Sequence, residues 1–122
     1  MFKEAAVVAV ALALLWATPA QAKELNRQEV VTCELIGSMA KTVMTYRQYG
    51  YSPLEAREKI KAILVKNDKA EFVQLLEEYI ADAYDGVRYT SRQFRESAIN
   101  DFKADKETEC MAYFMKDQEP TT

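Results

Sequence analysis

The segment EFVQLLEEYIADAYDG, residues 71–86, places Phe72, Leu75, Leu76, Tyr79, Ile80 and Ala83 at i, i+3, i+4, i+7, i+8 and i+11. This is the spacing of one face of an α-helix, whereas a strand would alternate from residue to residue. Glu71, Glu78, Asp82 and Asp85 fall on another stripe, and Gly86 stands where a left-handed cap ends a helix. Carboxylates one turn apart can hold a divalent cation. The same stripe is the solvent side of an amphipathic helix, so no metal or other cofactor is assigned.

The same pattern extends in both directions. Asp68 with Glu71 supplies a start signal for this helix. Before it, Ser52-Pro53-Leu54-Glu55 offers an N-cap, a proline at the first helical position and a glutamate to close a capping box. Leu54, Ile60, Ile63 and Leu64 give that helix an apolar face ending near Asn67. Asn26 with Glu29 opens the first helix, whose Val31, Leu35, Ile36, Met39, Ala40, Val43 and Met44 recur at helical spacing up to Gly50. Thr90 and Gln93 open the last, with Phe94, Ala98, Phe102, Cys110, Tyr113 and Phe114 expected on its inner side. The expectation is an all-α, small antiparallel four-helix bundle, because short connections make consecutive helices antiparallel.

Two cysteines, Cys33 and Cys110, test that arrangement. In four alternating helices the first and last run antiparallel, so Cys33 near the start of one and Cys110 near the end of the other share one end of the bundle. A disulfide between them closes a loop of 77 residues and stabilises the fold by about 4 kcal/mol in the chain-entropy model. With no Cys-x-x-Cys motif, the pair reads as structural rather than redox-active. Gly37, one turn beyond Cys33, lets the partner helix approach closely.

The amino terminus, MFKEAAVVAVALALLWATPAQA, combines Lys3, an uncharged apolar run of 13 residues from Ala5 to Ala17, Pro19, and the small-x-small pattern of Ala20 and Ala22. A membrane span needs roughly 20 apolar residues. The segment therefore reads as a signal peptide cleaved after Ala22, with an uncleaved anchor as the alternative. The domains are then a signal peptide at 1–22, a helical domain at 23–116 and a flexible tail at 117–122. Export from a Gram-negative cytoplasm places the product in the periplasm, where paired cysteines oxidise. After cleavage no stable membrane insertion is expected. A formal charge of −3 gives the chain no electrostatic reason to bind nucleic acid.

The 122 residues include no histidine, which removes the commonest general base and every serine–histidine or cysteine–histidine pair. Gly37, Gly50 and Gly86 are too far apart for a phosphate loop. No catalytic residue is assigned, and an enzyme is not expected. The richest cluster lies at the end opposite the cysteines, where the turns near 46–54 and 84–90 meet. It gathers Tyr46, Arg47, Tyr49, Tyr51, Tyr84, Asp85, Arg88 and Tyr89, including five of the seven tyrosines. These residue types dominate binding hot spots. They can equally pack over the bundle end, with Arg47 or Arg88 pairing Asp82 or Asp85.

CELIGSMAKTVMTYRQYG followed by AYDGVRY and a late second cysteine resembles a group of small exported proteins of proteobacteria and their phages and prophages. The resemblance rests on Cys33, Met44, Arg47, Gln48, Gly50, Ala83, Tyr84, Arg88, Tyr89, Phe102 and Cys110. It implies a periplasmic, disulfide-bonded helical product and nothing catalytic. A weaker similarity, by class only, is to exported immunity proteins against type VI amidase effectors. Together these readings lead to a periplasmic, non-catalytic binding protein. It would inhibit or mask an envelope protein, in phage exclusion, lysis control or immunity, using the Tyr/Arg-rich end. Homodimerisation through that end is a further expectation to test. The alternative is a periplasmic stress protein, an acid-activated holdase whose 18 mature carboxylates (19 less Glu4) lose charge in acid.

Overall fold

The computed structural model describes residues 24–116, which form four α-helices with no strand among them. The helices are α1 (Arg27–Gln48), α2 (Pro53–Lys66), α3 (Val73–Asp85) and α4 (Arg92–Lys116), with a 3₁₀ turn at Ala70–Phe72 leading into α3. The signal segment, its cleavage residues Ala20 and Ala22, and the tail at 117–122 lie outside the described residues.

Two helix starts form as their sequences dictate. Asn26 accepts from the Glu29 amide at 2.8 Å while Glu29 accepts from the Asn26 amide at 3.0 Å. Ser52 and Glu55 repeat the exchange, with Pro53 at the first helical position. Each box satisfies two amides that the helix itself leaves without partners.

The ends of the helices depart more from expectation. Gly50, at φ +91°, completes a Schellman cap on α1: the Tyr51 amide donates to the Tyr46 carbonyl at 3.0 Å and the Gly50 amide to Arg47 at 3.3 Å. Asp68 does not start α3. It sits at φ 57° as the left-handed residue of a second Schellman cap, closing α2 through Lys69 N–H to Leu64 and Asp68 N–H to Val65. Aspartate tolerates this conformation better than most residues, so one residue type served two opposite signals. Gly86 is extended (φ −86°, ψ 175°) rather than left-handed. Ser91, not Thr90, caps α4, its hydroxyl accepting from the Phe94 amide at 3.2 Å.

α1 is the central element, packing most extensively against α4 and also against α3 and α2, while α3 packs on α2. The core comprises Ile36, Met39, Ala40, Val43 and Met44 of α1, Ala56, Ile60 and Leu64 of α2, Leu76, Tyr79, Ile80 and Ala83 of α3, and Ile99 of α4. Cys33 and Cys110 form the expected disulfide between α1 and α4, with Cα atoms 5.6 Å apart. A Cβ on Gly37 would collide with Glu107 of α4, so the glycine does admit the close approach of that helix.

The inner face of α4 differs from the sequence-based one. Phe94 and Tyr113 are exposed, while Ile99, Lys106 and Cys110 are buried. The buried stripe faces α1, Phe102 and Phe114 pack partly buried beside it, and Phe94 and Tyr113 lie outside it. Leu54 and Ile63 of α2 are likewise exposed.

Candidate functional site

At the end of the bundle remote from the disulfide, the last turn of α1 grips the connection between α3 and α4. Beyond Asp85 the chain runs across the tip of α1, where two consecutive residues, Arg47 and Gln48, hold its backbone. The Arg47 Nη2 donates to the Gly86 carbonyl at 2.8 Å. The Gln48 Nε2 donates to the Val87 carbonyl at 2.9 Å, and its Oε1 accepts from the Tyr89 amide at 2.8 Å. One carboxamide thereby satisfies an acceptor and a donor of the same extended segment, much as a neighbouring strand would. Gln48 itself is fully buried, so its end of both bonds is shielded from competing water, while Val87 and Tyr89 remain partly exposed.

Arg88 returns the contact, donating Nε to the Gln48 carbonyl at 3.3 Å. Its guanidinium lies over Gly50, where an added Cβ would meet Nη2 at 2.9 Å. Gly50 is thus favoured by its positive φ, and a side chain there would also displace the Arg88 guanidinium. From α4, Arg95 donates Nε to the Tyr89 carbonyl at 2.9 Å and lies over the Tyr49 ring, 5.4 Å from its centre.

The tyrosines divide into two groups. Tyr84 is half-buried; its hydroxyl donates to the Tyr51 carbonyl at 2.8 Å, and Arg47 lies 5.2 Å from its ring centre. Burial raises the Tyr84 pKa, against the opposing pull of Arg47. Tyr46 is half-buried and meets the Tyr51 ring edge-on with centres 4.8 Å apart. Tyr49, Tyr51 and Tyr89 remain 48%, 39% and 38% exposed, and Tyr89 leans on Phe94 with centres 5.9 Å apart.

All eight residues of the sequence-derived cluster therefore come together at one end. Tyr46, Arg47 and Tyr84 serve mainly to build it, and Tyr49, Tyr51, Asp85, Arg88 and Tyr89 reach its surface. The expected pairing of Arg47 or Arg88 with Asp82 or Asp85 does not occur, because both arginines are drawn to backbone carbonyls. Val87, Phe94 and Leu54 extend the exposed apolar surface and were not foreseen. Gln48 lies four residues beyond Met44 on the core stripe. A polar residue on an apolar stripe is the signal that could have marked it.

A second polar cluster joins α3 to α4. Lys106 is 8% exposed, donates to Asp82 at 2.8 Å and to Glu109 at 3.4 Å, and lies over the rings of Tyr79 and Phe102 at 5.1 and 5.2 Å. Burial alone would lower the Lys106 pKa, but its hydrogen bond to Asp82 and the charges of Glu109 and Asp82 outweigh this and raise it. Burial, reinforced by the charges of Glu109, Glu78 and Asp82, pushes the Tyr79 phenol up to about 12. Asp82 is thus committed to a lysine, and no three acidic or cysteine side chains converge as a cation site among the described residues.

No family model, curated protein or solved structure matches the chain. The features on which function can be argued are an all-α, disulfide-bonded bundle, without a helix long and apolar enough to cross a membrane among the described residues, and a braced aromatic end.

Proposed function

We propose that the chain is an exported, non-catalytic binding protein of the periplasm that inhibits or masks an envelope protein, with Tyr49, Tyr51, Arg88 and Tyr89 as the contact residues. One observation carries this reading: the half-exposed rings stand on a backbone pinned from beneath by the buried Gln48 amide. An aromatic anchor held in place before contact loses little conformational entropy on binding. Tyrosine and arginine also supply large contact area with a polar tip. Val87 at 63%, Phe94 at 56% and Leu54 at 68% exposure add apolar surface around these anchors, of the kind that marks interaction sites. The disulfide suits an oxidising compartment. The mechanism is steric: a rigid bundle end covers the partner's working surface, in phage exclusion, control of lysis or immunity.

The test is photo-crosslinking in periplasm from position 87 or 94, with position 108 on exposed α4 as the control. The expected result is one envelope protein joined from 87 and 94, absent from 108 and lost when Arg88→Ala and Tyr89→Ala are combined in a chain that still melts normally. Equal adducts from all three positions would contradict the reading. An adduct with a second copy of the chain would replace the envelope partner with self-association.

The buried Lys106 favours a second reading, the acid-activated holdase. Lys106 is held between α3 and α4 by Asp82 and Glu109, a buried cation is costly without its partners, and separation of these helices would bare the Tyr79–Phe102 layer. Circular dichroism and dye binding from pH 7 to pH 3 distinguish the two. A wild-type chain that opens in acid, beside a Lys106→Met chain that stays packed, supports the holdase; a wild type that stays packed eliminates it.

A further inference from the structure

On the side of the bundle away from α4, α1 and α2 diverge and leave an open groove of about 430 Å³, within the size range of small-molecule sites. Its floor is Ile36, Met39, Ile60 and Leu64, and its walls include Leu35, Ile63 and Phe72. These side chains are almost wholly apolar. Ile63 is 52% exposed, so the groove is not closed by the fold itself.

The lining residues carry one formal charge, that of Lys69. The second Schellman cap fixes its position: the Lys69 amide donates to the Leu64 carbonyl at 2.7 Å, directing the chain back over the end of α2. Arg57 of α2, by contrast, is paired with Glu58 and Glu77. Lys69 is half-buried and makes no ion pair or side-chain hydrogen bond among the described residues. Asn67 beside it spends its amide nitrogen on the Ile63 carbonyl and keeps its oxygen as an acceptor. The groove thus joins an elongated apolar trough to one unneutralised ammonium group.

We infer that this groove binds a single-chain amphiphile with an anionic head, a long-chain carboxylate. The alkyl chain lies along Met39, Ile60 and Leu64, and the carboxylate meets Lys69. Apolar contact supplies most of the affinity and the charge-assisted hydrogen bond sets the preference for an acid head. A neutral or cationic amphiphile would leave Lys69 without a counter-charge. The site is separate from the Tyr/Arg end and does not depend on the binding function proposed above.

Calorimetric titration with laurate, and with dodecanol as the neutral match, tests this on the full chain as recovered from the periplasm. Wild type is expected to bind one laurate per chain. Ser38→Trp, at an exposed position on the groove wall, should abolish binding of both ligands while the helical circular dichroism is kept. Lys69→Gln should weaken laurate by about tenfold and leave dodecanol unchanged. Absence of laurate binding to folded wild type would overturn the proposal, as would equal affinity in Ser38→Trp. Equal losses for laurate and dodecanol in Lys69→Gln, or no loss for either, would overturn the assignment of the head group. A dimer that Ser38→Trp breaks, with no laurate bound, would assign the groove to a second copy instead.

Discussion

The two ends of the bundle are held by different means. At one, a covalent bond joins α1 to α4, and its partners could be matched from helix direction alone. At the other, side chains of α1 hold a non-helical segment by hydrogen bonds to its backbone, and a single fully buried carboxamide makes two of them. The first device restricts the unfolded chain and is indifferent to the surface around it. The second fixes surface residues in the folded chain, which is the property a contact surface needs. A small domain with limited core has reason to separate the two tasks.

Breaking the covalent end should have the largest effect. Cys33→Ala with Cys110→Ala is expected to lose about 4 kcal/mol in denaturant titration, with the braced end retaining its near-ultraviolet tyrosine signal in whatever fraction stays folded. At the opposite end, Gln48→Leu keeps the volume and removes both hydrogen bonds, leaving the Val87 carbonyl and Tyr89 amide without partners. It should cost about 3 kcal/mol, measured by the same titration, and should mobilise residues 86–91 where the cysteine variant does not.

Much of the covalent end was legible in the sequence, and much of the braced end was not. Asn26, Ser52 and Pro53 act within three residues of themselves, so their caps could be read locally. The cysteines needed only the order and direction of four helices. Gln48, by contrast, acts on Val87 and Tyr89, 39 and 41 residues away; its place on the core stripe marks it as buried, but nothing local names its partners. Lys106 was hidden for the same reason: its partner Asp82 belongs to another helix. Asp68 was misread because a left-handed cap and an N-cap prefer the same residue types. The cluster of tyrosines and arginines was visible by composition, but its division into bracing and exposed members depends on side-chain direction.

Smaller changes sharpen the contrast. Gly50→Ala meets both a left-handed backbone and the Arg88 guanidinium, and should cost about 1–2 kcal/mol, read as a fall in melting temperature. Alkaline titration probes the α3–α4 cluster, with Tyr84 at the braced end also raised. The Tyr79 phenol is raised from its ordinary 10.0 to about 12, so the stabilisation it reflects is complete below pH 10 and is lost as pH rises towards 12. The raised Lys106 works in the same direction, its stabilisation being lost as pH rises through its folded value. Melting temperature should therefore drop across this window, and Tyr79→Phe should remove the tyrosine part of the drop. Smallest of all, Tyr49→Ala and Phe94→Ala should change stability by no more than about 0.5 kcal/mol while reducing crosslinking to the partner. A large loss of stability in either variant would make those rings structural.

Amide hydrogen exchange at Tyr89 tests the central claim most directly, because that N–H is donated to the buried Gln48 oxygen. If the end is braced, the Tyr89 amide of the wild type exchanges as slowly as amides in the middle of α1, and Gln48→Leu raises its rate to that of an open loop while the α1 amides remain protected. A Tyr89 amide that already exchanges at loop rates in the wild type would contradict the account, leaving the exposed rings on a loose connection rather than on a fixed surface.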